Sequence, residues 1–295
     1  MTIRDVSPIV PGVGAKESVG SAITALFVPG NRPERFAKAA GAGADVVIID
    51  LEDAVAPELK VEALAAAARA VSGSNDQGDV IAALVRVNPI GSDQYDADIT
   101  ALLSAGTAIG SGLLGIMVPK AEDIRSIQRL RKDIPKNLAL IPLIESAVGV
   151  VNALEIAAVP GVTRLAFGAI DFALDIDADG GDRFLDYARS QLVVASRAAG
   201  IAAPLDSPST AIKDTAEVTN SARLARNFGF GGKLCIHPTQ LQFVREAFVP
   251  TDSDVKWALQ VIEADGDATQ VSGQMIDRPV VERAKRILQR VSKED

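Results

Sequence analysis

Eight short apolar runs rich in β-branched residues recur along the chain with stretches of helical composition between them, and no other feature narrows the fold as far. The runs cover residues 25–29, 45–51, 83–87, 115–118, 138–144, 164–167, 201–205 and 233–236. Each reads as a strand buried on both faces, the habit of parallel sheets covered by helices. Helical segments fall between them at 61–71, 122–132, 148–158, 184–199 and 215–228, and Gly200 and Gly229 act as stop signals before the next strand. In 295 residues this alternation predicts an α/β fold, a (β/α)8 TIM barrel over residues 1–249, ahead of an open doubly wound sheet. Beyond Pro250 two more helical stretches, 255–264 and 279–291, are joined by the polar, glycine-rich segment 265–277. Residues 250–295 are thus expected to form a C-terminal helical extension that packs under the barrel or reaches a neighbouring subunit.

Every run ends in polar residues. Asn31 and Arg32 follow the first, Asp50, Glu52 and Asp53 the second, Arg86 and Asn88 the third, and Lys120 the fourth; Glu145, Asp171, Asp206 and His237 follow the rest. A closed barrel gathers such ends in one mouth, whereas an open sheet spreads them along a line. No Gly-x-Gly-x-x-Gly or Walker-type loop follows a strand, so neither nucleotide fingerprint is present. Glu145 and Asp171 each close an apolar run, and if the two ends are adjacent they could share one hard divalent cation. Oxygen ligation that leaves positions for water or substrate suits magnesium better than zinc. Taken singly, either residue also fits a helix N-cap or a solvated acid.

Charge and cysteine usage exclude several classes. A net charge of −8 without a Lys/Arg block argues against nucleic acid and against an anionic membrane surface as partners. Cys235 is the single cysteine, so no intrachain disulfide can form and a cytoplasmic location is expected. The first twenty residues mix charges with Pro8, Pro11 and Gly12, unlike a signal peptide. The most apolar region, 138–163, is interrupted by Glu145, Asn152, Glu155 and Pro160, so no membrane span is expected.

The strand-end motifs are Phe27-Val-Pro-Gly-Asn-Arg-Pro33, Asp50-Leu-Glu-Asp-Ala-Val55, Arg86-Val-Asn88, Val118-Pro-Lys120, Ile144-Glu-Ser146, Phe167-Gly-Ala-Ile-Asp171 and Gly232-Lys-Leu-Cys-Ile-His-Pro238, followed by Gln274-Met-Ile-Asp277. In that order and spacing, from about Leu26 to the last helix, the chain resembles the family of citrate lyase β subunits, malyl-CoA lyases and citramalyl-CoA lyases. The resemblance implies a magnesium-dependent carbon–carbon lyase on a (β/α)8 barrel, commonly a homotrimer, cleaving a 3-hydroxyacyl-CoA to acetyl-CoA and a 2-oxo acid.

It also implies roles. Glu145 and Asp171 become the Mg²⁺ ligands, and Glu52 and Asp53 the acids that orient metal-bound water, although that pair could instead cap the following helix. Arg86 matches the substrate arginine, a role compatible with an internal salt bridge to the acids. Arg32 and Lys38, beside Phe27, match positions that contact the acyl-CoA, as does the backbone around Ile236 and His237; a lone histidine at a strand end is otherwise a structural hydrogen-bonding residue. Asp277 matches an acid/base that reaches an adjacent subunit's site, and by position it also reads as the N-cap of the helix opening at Pro279. Glu34 stands where some members have lysine, and Ile170 where some have glutamate. Two competing activities remain open at this stage: a magnesium-dependent aldolase of free 2-oxo acids that needs neither Arg32 nor Lys38, and an acyl-carrier-dependent subunit of a citrate lyase complex.

Overall fold

The computed structural model describes residues 14–73, 80–178, 182–264, 270–271, 274–275 and 277–291. After a short helix, α1 (Ala15–Ser21), come eight parallel strands: β1 (Thr24–Pro29), β2 (Val46–Asp50), β3 (Ala83–Arg86), β4 (Leu113–Val118), β5 (Ala139–Ile144), β6 (Arg164–Phe167), β7 (Ala202–Asp206) and β8 (Gly232–Cys235). They pair in sequence order and close through β1 and β8, so the expected barrel is the observed one. Side chains alternate across a strand, so pairing parity decides what lies inside. Ala25, Ile48, Leu84, Met117, Ile141, Ala166, Leu205 and Leu234 fill the interior. Ala15, Val19 and Ala22 join the same cluster, and α1 lies against β4, β5 and β7. This helix, which the sequence periodicity does not reveal, closes the end where the strands start.

The same parity corrects one expectation. Leu205 faces in, so Asp206 faces out, toward the helices, and not into the mouth. Its Oδ2 accepts a hydrogen bond of 2.8 Å from Lys233 Nζ on the adjacent strand, and Arg189 Nε stands 3.5 Å from Oδ1. All three side chains are buried. Removing one partner would leave a buried charge uncompensated, at a cost of about 3–5 kcal/mol.

The outer layer includes α2 (Phe36–Ala40), α3 (Lys60–Val71), α4 (Tyr95–Gly106), α5 (Ile124–Asp133), α6 (Ala147–Val151), α7 (Ala153–Ala157), α8 (Ala169–Asp175), α9 (Asp186–Ala198), α10 (Thr215–Phe228) and α11 (Gln240–Phe248). The helix expected over 148–158 is two helices, α6 and α7, broken at Asn152, whose side-chain amide donates to Glu122 O at 2.9 Å. Ser146 caps α6 by accepting from Gly149 N at 3.1 Å, an interaction worth about 1 kcal/mol. A cavity of about 310 Å³, lined by Gly106, Thr107, Ser111, Pro135, Asn137 and Leu138 among others, lies by the starts of β4 and β5. Its lining includes no ionisable side chain, and it lies at the opposite end from the strand-end acids.

The chain divides into two compact units, Met1–Val244 and Arg245–Asp295. In the second, α12 (Asp252–Glu263) packs on α13 (Arg278–Val291) through Ala258, Val261, Val281, Ala284 and Ile287. Arg283 stacks over Trp257 at 4.9 Å, and the two-residue strands β9 (Gln270–Val271) and β10 (Gln274–Met275) pair antiparallel between the helices. No described helix is long and apolar enough to cross a membrane.

Candidate active site at the barrel mouth

Asp50 and Arg86 end β2 and β3 in register, both facing inward, so the chain cannot avoid bringing them together. Arg86 Nε and Nη2 donate to Asp50 Oδ1 and Oδ2, each at 2.7 Å, a parallel fork that fixes the guanidinium plane. Its Nη1 lies 2.8 Å from Glu52 Oε2 and donates to Asp53 Oδ2 at 3.2 Å, while its Cζ sits 4.9 Å over the Phe27 ring. Burial works against the charged guanidinium, but the bonds to Asp50 and the charges of Asp50, Glu52 and Asp53 prevail and raise its pKa. Asp50 also accepts from Glu52 N and Ala54 N, at 2.9 and 3.1 Å, and so shapes the turn that carries Glu52 and Asp53. Those two residues do not cap the next helix, which is entered only after a 3₁₀ turn at Pro57–Leu59.

Glu145 follows β5 and is buried; its Oε1 accepts from Lys120 N at 2.8 Å, whereas Oε2 has no hydrogen-bond partner. Both carboxylate oxygens of Glu52 are equally without one, since the close approach of Arg86 is not aligned as a hydrogen bond. β6 spans the expected residues 164–167, and Asp171 lies past its end, in the first turn of α8 after Gly168. It is half-buried, and its position is held through its helix. Ser207 Oγ accepts from Ala169 N at 3.1 Å at the start of α8, and Asp175 Oδ2, at its end, accepts from Ala147 N at 2.7 Å. Gly168 is required by space, because a Cβ there would collide with Glu145 Oε2.

Burial pushes the Glu145 carboxyl up, and the charges of Glu52 and Asp171 add to that despite the Lys120 N–H, bringing it to about 8. Burial likewise raises Glu52 to about 7, against the pull of Arg86 and Lys120 and with Asp53 and Asp50 adding to the rise. Among the described residues, no three His, Cys, Asp or Glu side chains are grouped tightly enough to cage a metal alone. Two buried acids with unsatisfied oxygens beside Asp171 nevertheless fit a hard cation that keeps several waters, which is how magnesium is usually held. Glu145 and Asp171 could bind it, and Glu52 could hold its water.

Lys60 and Lys120 had no assigned role in the sequence. Lys60 Nζ donates to Leu51 O, Glu52 O and Asn88 Oδ1, each at 2.7 Å, and Asn88 in turn donates through N and Nδ2 to buried Asp98 at 2.9 and 2.7 Å. The ammonium thereby pins the Glu52 turn to the end of β3. Lys120, with φ 49°, occupies the left-handed region that side chains with a Cβ avoid. Such strain costs on the order of 1–3 kcal/mol and concentrates at functional sites. Only the motif Val118-Pro-Lys120 marked this residue, and no local pattern marks Lys60.

The remaining expected residues are placed as follows. Arg32, in the turn after β1, and Lys38, within α2, are both exposed, and Arg32 Nε is paired with Glu34 Oε1 at 2.8 Å. The N–H groups of Ile236 and His237 both donate to Gln240 Oε1, at 2.9 and 3.2 Å, so neither is free for a ligand. Gln240 is itself buried and donates to Ser209 O and Ala211 O, which ties the β8 end to the loop after β7. His237 Nδ1 accepts from Thr239 N at 3.3 Å, a structural contact. Asp277 belongs to the second unit, where its Oδ1 accepts from Val280 N at 3.1 Å at the start of α13.

Residues 24–238 match the HpcH/HpaI aldolase/citrate lyase family. A citrate lyase subunit beta-like protein of Deinococcus radiodurans is 36% identical, over 89% of this chain and 95% of its own length. An L-malyl-CoA/beta-methylmalyl-CoA lyase of Cereibacter sphaeroides is 31% identical, over 89% of this chain and 92% of its own. Among solved structures, CitE of Mycobacterium tuberculosis in complex with magnesium, acetoacetate and coenzyme A superposes with a TM-score of 0.78 at 32% identity, over 92% of this chain and 99% of that one. With the barrel, the acid-lined mouth and these likenesses together, the chain belongs to the HpcH/HpaI aldolase/citrate lyase family, and it is a lyase.

Proposed function

We propose that this lyase cleaves a 3-hydroxyacyl-CoA of the malyl, citramalyl or citryl type to acetyl-CoA and a 2-oxo acid, with Mg²⁺ as cofactor. The observation that carries the reading is the pair of buried acids, Glu52 and Glu145, at a strand-end mouth beside Asp171: both oxygens of Glu52 and Oε2 of Glu145 lack hydrogen-bond partners. The names of the relatives and the magnesium and coenzyme A in the CitE structure support it. Mg²⁺, when bound, supplies Lewis-acid polarisation of the substrate hydroxyl that becomes the 2-oxo acid carbonyl.

The chain's own residues do the rest. Glu145 and Asp171 would hold the cation, while Glu52 and Asp53 would orient its waters. Asp277, reaching in from a neighbouring subunit of a homotrimer, takes the hydroxyl proton. As the C–C bond breaks, its electron pair passes to the thioester fragment as an enolate, which then takes up a proton to give acetyl-CoA. Arg86 is locked by Asp50 into one orientation and offers the enolate oxygen a fixed positive field that needs no rearrangement during the reaction. Arg32, Lys38, Phe27 and the Ile236–His237 segment would receive the coenzyme A portion. For the last, the exposed Ile236 side chain is the available surface, since the amides are occupied.

A coupled assay of the purified protein with malyl-, citramalyl- and citryl-thioesters, identifying the 2-oxo acid released, tests the proposal; no release from any of them defeats it. One observation favours a second reading, an aldolase of free 2-oxo acids: Glu34 already neutralises Arg32. Arg32→Ala and Lys38→Ala should raise KM for acyl-CoA with little change in kcat if coenzyme A binds there. Unchanged KM in both, together with turnover of a free hydroxy acid, supports the second reading instead.

A further inference from the structure

Lys120 has no task in the mechanism above, yet its geometry is specific. The left-handed backbone at φ 49° lets a single residue address two acids: its N–H donates to Glu145 Oε1 at 2.8 Å, and its Nζ lies 3.7 Å from Glu52 Oε1. At that distance the ammonium forms no hydrogen bond to Glu52, and its side chain is 51% exposed. Arg86, the other cation facing Glu52, is 9% exposed, and its Nε and Nη1 contact Asp50, Glu52 and Asp53. Arg86 is committed to the acids and Lys60 to three oxygens of the Glu52 turn and Asn88, whereas Lys120 has donors to spare on a flexible stem with a fixed base.

A substrate carboxylate enters past Glu52, Asp53, Glu145 and Asp171, and beside the cation those acids would hold, an ammonium that faces the carboxylate further offsets their charge. In a 3-hydroxyacyl thioester the carbon that becomes the 2-oxo acid carries a carboxylate next to the bond that breaks, whereas the thioester carbonyl is neutral. We propose that Lys120 Nζ binds that carboxylate, swinging from Glu52 to the ligand, and is the residue that recognises the 2-oxo acid end of the substrate. The inference rests on the lyase reading and adds to it a recognition group.

Isothermal titration calorimetry tests it with Mg²⁺ alone and then with pyruvate on the Mg²⁺-loaded protein, for wild type, Lys120→Met and Lys120→Arg. Methionine keeps the straight side chain and removes only the ammonium; the bond to Glu145 comes from the backbone and survives. Lys120→Met is therefore expected to bind Mg²⁺ within about twofold of wild type and pyruvate about ten- to a hundredfold more weakly, with Lys120→Arg recovering much of the loss. Equal pyruvate affinity in wild type and Lys120→Met overturns the assignment, as does an equal loss of Mg²⁺ binding, which would mark a structural role. Wild type that binds Mg²⁺ but none of pyruvate, glyoxylate and oxaloacetate overturns this assignment, whereas the lyase reading falls only if the coupled assay shows no cleavage. A measurement on the unaltered chain guards against a misfolded variant: acylation of Lys120 by an amine-reactive ester, read by peptide mass spectrometry, should slow with Mg²⁺ and pyruvate relative to Mg²⁺ alone. Unchanged labelling overturns the proposal.

Discussion

Arg86 grips Asp50 through two parallel hydrogen bonds of 2.7 Å between positions that face each other across β2 and β3. The pair is nearly dry, with Arg86 9% and Asp50 2% exposed at the side chain. Arg86→Ala should destabilise the protein by about 3–5 kcal/mol, because Asp50 and Glu52 would be left buried without their counter-charge. Arg86→Lys keeps the charge and loses the fork, so intermediate thermal stability with strongly reduced turnover is expected. Wild-type turnover in Arg86→Lys would show that the fixed guanidinium plane is not used.

Glu145→Gln and Asp171→Asn are expected to abolish Mg²⁺-dependent activity and Mg²⁺ binding while the circular dichroism spectrum stays that of wild type, because both residues lie beyond the packed barrel interior. Glu52→Gln should cost less, about ten- to a hundredfold in metal affinity, as a group that acts through water. Normal Mg²⁺ affinity in Glu145→Gln would move the metal elsewhere.

Protonation should set the pH response of the metal-free chain. Glu145 is raised to about 8 and Glu52 to about 7, so between the ordinary carboxylate range and those values the folded chain holds protons that the unfolded chain has released. Their contribution to stability is full on the acid side of that window and is lost as pH rises through it. Mg²⁺ competes with the same protons, so its apparent affinity should climb across the window. In a chelator, the melting temperature of wild type should therefore fall relative to Glu145→Gln as pH increases. A constant difference between the two would contradict the assignment.

Lys60→Met removes the three 2.7 Å bonds that pin the Leu51–Glu52 turn to Asn88. Mg²⁺ affinity should fall about tenfold, as for other groups that orient a metal's surroundings. If Lys60 acts through Glu52, the double variant Lys60→Met/Glu52→Gln should bind Mg²⁺ no more weakly than Glu52→Gln alone. Additive losses would show that Lys60 acts on metal binding independently of Glu52, and no loss in Lys60→Met would leave it a stability residue only.

Asp277→Ala should keep Mg²⁺ and coenzyme A binding and lose lyase activity if its carboxyl transfers the proton. Mixed with Glu145→Gln in a shared-site oligomer, it should regain part of the activity after subunit exchange, since some sites would combine an intact barrel with an intact tail. No recovery despite demonstrated exchange would put Asp277 in its own subunit's site or outside the chemistry.

The eight strands, most of the long helices and the polar residue after each strand were legible in the sequence, because a buried parallel strand leaves an apolar run and periodicity is local. Asp50, Glu52, Arg86 and Glu145 could be placed at a mouth for the same reason: a strand's last residues go wherever the barrel closes. What each side chain meets there was decided by the tertiary structure. Whether Asp206 points into the mouth or into the helix layer depends on the parity of pairing with β8, which put it on Lys233. Asp171 reads as the close of an apolar run, yet Ser207, thirty-six residues further along the chain, anchors the start of the helix that carries it. Lys60 reaches Asn88, and Lys120 reaches Glu52 and Glu145, across gaps that only barrel closure removes. A sequence fixes the order and burial pattern of its elements through short-range periodicity, while the hydrogen bonds and charges of a site depend on three-dimensional distances between residues tens of positions apart.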